Sequence, residues 1–197
     1  YNIEVSQNGD LFIATQNGLN IKPKGKDKFI RYYHNELDST TISHSDCKVV
    51  YEDDYGTIWI GTYNGLNKFN RQDNNFSRYL HDSDDPSSLS NNYVQCLYED
   101  SKGRFWVGTQ GGGLNLMNRE TGEFKAYLEE DGLVDNTVYG ILEDEKNNLW
   151  LSTNRGLLKF NPSNENFTNY KSENGLLSSQ FNYNAYFKND DGKMYFG

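Results

Sequence analysis

Along most of the chain apolar and polar residues alternate in short runs, as in Tyr93-Val94-Gln95-Cys96-Leu97-Tyr98 and Thr137-Val138-Tyr139-Gly140-Ile141-Leu142. A period of two sends successive side chains to opposite faces, so each run predicts a strand with one face in a core. No stretch of a dozen positions sustains an apolar spacing of three and four, and turn residues recur too often for long helices. The pattern is that of an all-β protein.

The alternation repeats. Gly56-Thr57-Ile58-Trp59-Ile60-Gly61-Thr62-Tyr63-Asn64-Gly65-Leu66 has counterparts in Gly103-Arg104-Phe105-Trp106-Val107-Gly108-Thr109 with Gly112-Gly113-Leu114, and in Asn147 to Leu157. An earlier copy runs from Gly9 to Leu19, and a last one begins at Gly192. The central aromatic falls at Phe12, Trp59, Trp106, Trp150 and Tyr195, at intervals of 47, 47, 44 and 45 residues. That is the period of a four-stranded propeller blade. A sandwich also uses short strands but does not require a repeat of this length.

Each unit divides into four strands. Strand A is the alternating run, followed by an acidic turn (Glu52-Asp53-Asp54, Glu99-Asp100, Glu143-Asp144) closed by a Gly or Asn able to take positive φ. Strand B is the aromatic motif, and strand C follows a second Gly turn, as Leu66 to Asn70 and Leu157 to Asn161. Strand D is a Phe-x-x-Tyr piece: Phe29 to Tyr32, Phe76 to Tyr79, Phe124 to Tyr127 and Phe167 to Tyr170. The expected fold is a partial β-propeller over 1–197, with four complete four-stranded blades at about 1–45, 46–92, 93–136 and 137–180 and an incomplete fifth at 181–197.

Composition narrows the function. Fifteen Tyr and eleven Phe against three Pro suit strands, and 19 basic against 28 acidic residues give a net charge of -9 that disfavours nucleic acid and anionic membranes. No apolar run reaches the ~18 residues of a membrane span, and the first residues carry no signal-peptide pattern, so any targeting or membrane segment is expected outside this stretch. Cys47 and Cys96 each lie in an alternating run and read as buried free thiols, while His34, His44 and His81 share no ligand spacing with them or with each other. No metal or cofactor is expected.

Recurrence assigns the motif residues to packing. Trp59, Trp106 and Trp150 occupy one register in successive units, so each is expected to fill the gap between its blade and the next. Gly56 and Gly103 close the acidic turns, and Gly65 and Gly156 close the turns from B to C. Thr15, Thr62, Thr109 and Thr153 are expected to tie those second turns by hydroxyl bonds to backbone. The acidic turns recur in three units, which suits a structural role better than a single acid–base pair. The loop carrying Asp82, Asp84 and Asp85 lacks the Gly and terminal Glu of a calcium loop.

The unit Gly-x-x-Trp-Ile/Val/Leu-Gly/Ser-Thr-x-x-Gly-Leu, with Phe69-Asn70 and Phe160-Asn161 after it and Gly132-Leu133 and Gly175-Leu176 before the next strand A, resembles the two-component regulator propeller repeat. Smaller departures are Phe12 and Tyr195 at the Trp position, Asn147 at the Gly position and an extra Gly in Gly111-Gly112-Gly113. The resemblance implies a seven-bladed ring in the periplasmic sensor region of Bacteroidetes hybrid two-component systems. It also implies a homodimer held to the inner membrane by a helix expected outside this stretch. The implied activity is to bind an oligosaccharide and signal to a histidine kinase that controls glycan-utilisation genes. The partners implied are the remaining blades and the sugar.

Propeller ligands bind where variable loops converge, because the repeated strands are occupied by packing. One face is expected to collect the B-to-C turns and the connections from D to the next A. Its variable positions include Gln16, Asn17, Tyr63, Asn64, Gln110, Asn154 and Arg155, with His44, Asp46, Asn92, Tyr93, Asn136 and Gln180 at the starts of strand A. Tyr63, Asn64, Tyr93, Gln110, Asn154, Arg155, His44 and Gln180 are the candidate sugar-binding residues: amides and hydroxyls bond polar edges and a ring covers an apolar face. Arg155 is the candidate cation for a uronate or sulfate. Two other classes compete. A protein-interaction scaffold would present a flat apolar face. A sialidase-like enzyme, suggested by Asp54-x-Gly56-x-x-Trp59, would need an arginine cluster, whereas the six arginines are scattered over different repeat positions.

Overall fold

The structure, a computed structural model, describes residues 2–197. The first repeat folds as β1 (Ile3–Val5), β2 (Leu11–Thr15), β3 (Gly18–Lys22) and β4 (Ile30–Tyr32), and the second as β5 (Cys47–Glu52), β6 (Ile58–Thr62), β7 (Gly65–Asn70) and β8 (Asn75–Tyr79). The third is β9 (Val94–Glu99), β10 (Phe105–Thr109), β11 (Leu114–Met117) and β12 (Phe124–Tyr127); the fourth is β13 (Val138–Glu143), β14 (Leu149–Thr153), β15 (Leu157–Asn161) and β16 (Asn166–Tyr170). A last hairpin joins β17 (Tyr186–Lys188) and β18 (Met194–Phe196). Neighbours in sequence are neighbours in space, so the strands form four four-stranded antiparallel sheets and one of two strands. These are four propeller blades and the beginning of a fifth. The described residues form two compact units, one ending at Val94 and one spanning Gln95–Gly197.

The acidic turns organise each blade in a way that alternation alone does not reveal. Asp53 Oδ1 accepts from the amides of Tyr55 (3.1 Å) and Thr57 (2.8 Å), and its Oδ2 accepts from Trp59 Nε1 at 2.9 Å. Asp100 repeats this with Lys102, Arg104 and Trp106, and Asp144 with Lys146, Asn148 and Trp150. One carboxylate thus closes the turn and satisfies the indole that must be buried beside it. Where the central aromatic lacks an N–H, the carboxylate is absent too. Ser6 precedes Phe12 by the same six positions, and its hydroxyl accepts the Asp10 amide at 3.1 Å. Asn189 precedes Tyr195 likewise and accepts the Lys193 amide at 2.8 Å.

The neighbouring glutamates hold successive blades together. Glu52 accepts the Gln7 amide of the preceding blade at 2.5 Å, and Glu143 accepts both the amide and the hydroxyl of Ser101 at 2.8 Å. Between blades the aromatics interlock. In the first unit Tyr32 meets Phe69 and Phe76 at 5.5 and 5.4 Å, and in the second Tyr127 meets Phe160 and Phe167 at 5.1 and 6.2 Å. The Tyr32 hydroxyl donates to Asn74 and the Tyr127 hydroxyl to Glu165, the residues that take φ of 55° and 57° in the next blade's C-to-D turn. Because the chain reverses at these left-handed residues, β8 and β16 begin one position before the Phe expected to open them. Trp106 packs on Phe160 of the next blade at 5.7 Å.

Cys47 and Cys96 are buried free thiols, and burial pushes the Cys47 thiol up to about 12 and the Cys96 thiol higher still. Each B-to-C threonine donates its hydroxyl to a turn carbonyl: Thr15 to Gly18, Thr62 to Gly65, Thr109 to Gly113 and Thr153 to Gly156, at 2.7 to 3.1 Å. The extra glycine lengthens the third turn by one residue without breaking that bond.

Asp144 supplies a test of the turn. Burial works to raise its pKa, but hydrogen bonds from Asn148, the Trp150 indole and backbone amides outweigh burial and hold it below the ordinary aspartate value. A carboxyl lowered on folding stabilises the folded state above its unfolded pKa, and that contribution is lost as pH falls through the folded pKa. Urea midpoints of the full chain are therefore expected to fall on acidification. Asp144→Asn should be less stable at neutral pH by about 1 kcal/mol and show a shallower pH dependence. Equal slopes for the two proteins would refute this role for the carboxylate.

Candidate functional site

The B-to-C turns are joined to the connections entering the next strand A. The amide of Gly18 donates to the Ser45 carbonyl, Gly65 to Asn92 and Gly113 to Asn136, at 2.6 to 2.7 Å. The same connecting residues fix the incoming loop through their side chains: Ser45 accepts from the His34 amide, Asn92 from His81 and Asn136 from Glu129. Turn and connection therefore form one face in each blade. In the first two connections, Thr41 and Ser88 accept the amides of Asn35 and Asp82, and Asp38 and Asp85 bind the residues two positions on. The Asp82 carboxylate accepts from the Asp84 amide and that of Asp85 from Ser87, so both serve as turn acceptors. The later connections are single 3-10 turns, Glu129–Asp131 and Ser172–Asn174, each ended by a left-handed glycine, Gly132 or Gly175.

In the first unit this face carries a row of rings. His34 and His44 lie 6.4 Å apart, His44 and Tyr63 5.6 Å, and Tyr63 and Tyr93 4.2 Å with their planes tilted by 37°. Tyr63 is half exposed, Asn64 is exposed, and His44 and Tyr93 are half-buried. Lys48, on β5 and not among the residues expected here, stands 5.9 Å from the Tyr63 ring centre and 5.4 Å from that of Tyr93. Its ammonium is paired with Asp46 at 3.0 Å. Burial works against the charged amine, but its bonds to Asp46 and Tyr93 hold its pKa above the ordinary lysine value. The signal for Lys48 is its place on strand A, one residue after Cys47 and so on the opposite face.

In the second unit the corresponding positions are polar. Asn154 accepts from the Tyr139 hydroxyl at 2.7 Å and donates to Asp135, and Gln110 accepts from Gln95 at 2.8 Å. Gln180 is exposed, its amide bonded to Ser178, and the next amide, of Phe181, reaches the Thr153 carbonyl. Arg155 does not stand as a free cation for a uronate or sulfate. Its Nε donates to Asp135 at 2.9 Å and its Nη2 pairs with Glu129, and these bonds raise its pKa. Spacing could not reveal this pairing, because both carboxylates come from the preceding connection, more than a strand away in sequence.

Segments 41–64, 88–111 and 132–155 each match the two component regulator propeller. Each match runs from a connection through strand A and the acidic turn to the B-to-C turn. Those three segments read as two-component regulator propeller repeats. Over 85 residues the chain is 38% identical to histidine kinase P4 of Formosa agariphila, a match covering 43% of this chain and 6% of that protein. Among solved structures it is similar to the extracellular domain of a hybrid two component system from B. thetaiotaomicron, with a TM-score of 0.86 and 25% identity over 99% of this chain and 27% of that one. A fold likeness, TM-score 0.73 at 16% identity, extends to virginiamycin B lyase from Staphylococcus aureus, covering all of this chain and 62% of the lyase. The chain thus spans only a small part of its two-component relatives. Among the described residues no helix is long and apolar enough to cross a membrane, and no cluster of His, Cys, Asp and Glu is arranged to hold a metal.

Proposed function

We propose that this chain is part of one extracytoplasmic, periplasmic propeller that senses an oligosaccharide for a hybrid two-component system, passing the signal through a homodimer to a histidine kinase that regulates glycan-utilisation genes. The observation that carries the reading is the joining of the two-component repeat, within each unit by itself, to loop faces that bear the half-exposed Tyr63 ring in one unit and exposed or half-exposed amides in the other. Tyr63 and Tyr93 offer aromatic surface, and His44, Asn64, Gln110, Asn154 and Gln180 offer donors and acceptors of the kind that bond sugar hydroxyls. Arg155 serves here as a fixed donor within its carboxylate pair. A non-catalytic role is supported by the acidic turns, whose aspartates are engaged by their own backbone and indole.

The test is a thermal-shift and glycan-array screen on the intact protein carrying this chain, using both neutral and acidic oligosaccharides. A ligand at about a hundred times its Kd stabilises a folded protein by ~2.7 kcal/mol. The expected result is a raised melting temperature with at least one oligosaccharide, lost in Tyr63→Ala or Tyr93→Ala. Silence across the whole array would move the reading to a protein-interaction scaffold.

A further inference from the structure

We infer that the ring row formed by the connection before β5, the turn after β6 and the residue before β9 takes an uncharged sugar and rejects uronates and sulfates; this rests on the oligosaccharide reading above and names the class of ligand. A site for an acidic sugar needs a cation with charge to spare, usually a guanidinium presented in a fork. Here the cation is already neutralised. Lys48 Nζ lies 3.0 Å from Asp46 Oδ2, with the side chains of both mostly buried at 12% and 22% exposure. The other oxygen, Asp46 Oδ1, is buried with no hydrogen-bond partner among the described residues. A carboxylate satisfied on one side only keeps part of its negative potential, and in a partly desolvated site that potential opposes a second anion. The pair is also locked in place, since the Asp46 amide donates to His44 Nδ1 at 2.9 Å and its carbonyl accepts the Tyr63 amide at 3.0 Å.

What remains for a ligand is ring surface and polar edges. Tyr63 is 50% exposed although it touches both His44 and Tyr93, so its aromatic surface is supported from two sides and open to solvent. The C–H face of a neutral pyranose covers such a ring at little desolvation cost, whereas a sulfate or carboxylate brought to the same place must shed water without gaining a free cation. The second unit points the same way by its own chemistry, because Arg155 is shared between two carboxylates. A net charge of -9 adds a long-range penalty for polyanions.

Isothermal titration of the intact protein with neutral probes (xylohexaose, cellohexaose, mannohexaose) and acidic ones (an oligogalacturonide, chondroitin sulfate and heparin hexasaccharides) tests the inference. The neutral probes are expected to bind at least about tenfold more tightly than the acidic ones, whose weak binding is read at high probe concentration, and Tyr63→Ala should abolish neutral-probe binding. Asp46→Asn keeps the backbone bonds of Asp46 but uncovers Lys48, and is expected to strengthen acidic-probe binding roughly two- to fivefold, the effect of one partly exposed charge. A wild-type preference for an acidic probe overturns the inference while leaving the sensor reading intact. Unchanged acidic-probe binding in Asp46→Asn also overturns it. Failure of every probe to bind overturns the inference and counts against the sensor reading.

Discussion

Trp106→Ala is expected to cost about 3–5 kcal/mol, the range for removing a fully buried large aromatic. The indole is inaccessible to solvent and lies 6.1 Å from the Tyr127 ring and 5.7 Å from Phe160, so it spans two successive blades of the second unit. Its removal opens a cavity that the strands cannot close, because β10 is held in register on both sides. Trp106→Phe separates the ring from its N–H. It keeps most of the contact but withdraws the 2.8 Å bond to Asp100, whose oxygens still accept the Lys102 and Arg104 amides and the Arg104 guanidinium. That variant is expected to lose about 1–2 kcal/mol. Equilibrium urea denaturation of the full chain reads both. An alanine variant within about 1 kcal/mol of wild type would mean that the recurring tryptophan is not what welds the blades.

The first repeat shows that the two losses are separable. It places Phe12 at the tryptophan position and Ser6 at the aspartate position, and Phe12 is still fully buried. The fold was legible from the repeat because every blade solves the same packing problem, so alternation, turn glycines and the Phe-x-x-Tyr piece recur in step. The coupling of Asp53, Asp100 and Asp144 to the tryptophans six residues on was not legible from alternation. It depends on a hairpin folding back, which brings together positions that a period of two treats as unrelated. Likewise Glu52 and Glu143 read as parts of an acidic turn, although each reaches back to the preceding blade.

The candidate site was legible only as a face. The turns and connections that build it were identifiable, and the ring row of His44, Tyr63 and Tyr93 lies within the residues named from sequence. Its electrostatics were not. Lys48 enters from a strand, and Glu129 and Asp135 take up Arg155 from a connection of variable sequence. Pairing between loops is set by where the loops are anchored, and the anchors are backbone bonds such as Gly65 to Asn92, which have no side-chain signature.

Those anchors rest on glycine, and Gly113→Ala is expected to cost about 2–4 kcal/mol, combining left-handed strain with overpacking. Gly113 has φ of +68°, and an added Cβ would sit 2.1 Å from the Tyr127 carbonyl oxygen and 3.1 Å from Leu128 Cδ2. That carbonyl belongs to the pairing of Leu114 with Tyr127, so it cannot withdraw without opening the β11–β12 ladder. Gly113 also donates to the Asn136 carbonyl and accepts from Thr109, so a shift there would loosen the connection that positions Asp135 against Arg155. Gly103 is the control. Its φ is +73°, nearly the same, but a Cβ there meets nothing within 4 Å, and Gly103→Ala is expected to cost only about 1 kcal/mol. Hydrogen exchange should separate the two further, with faster exchange at the Thr137 amide, which donates to Asp135, in proteins carrying Gly113→Ala and no change in those carrying Gly103→Ala. Equal costs for the two substitutions would show that the close approach of turn to strand D is not what holds the loop face in place.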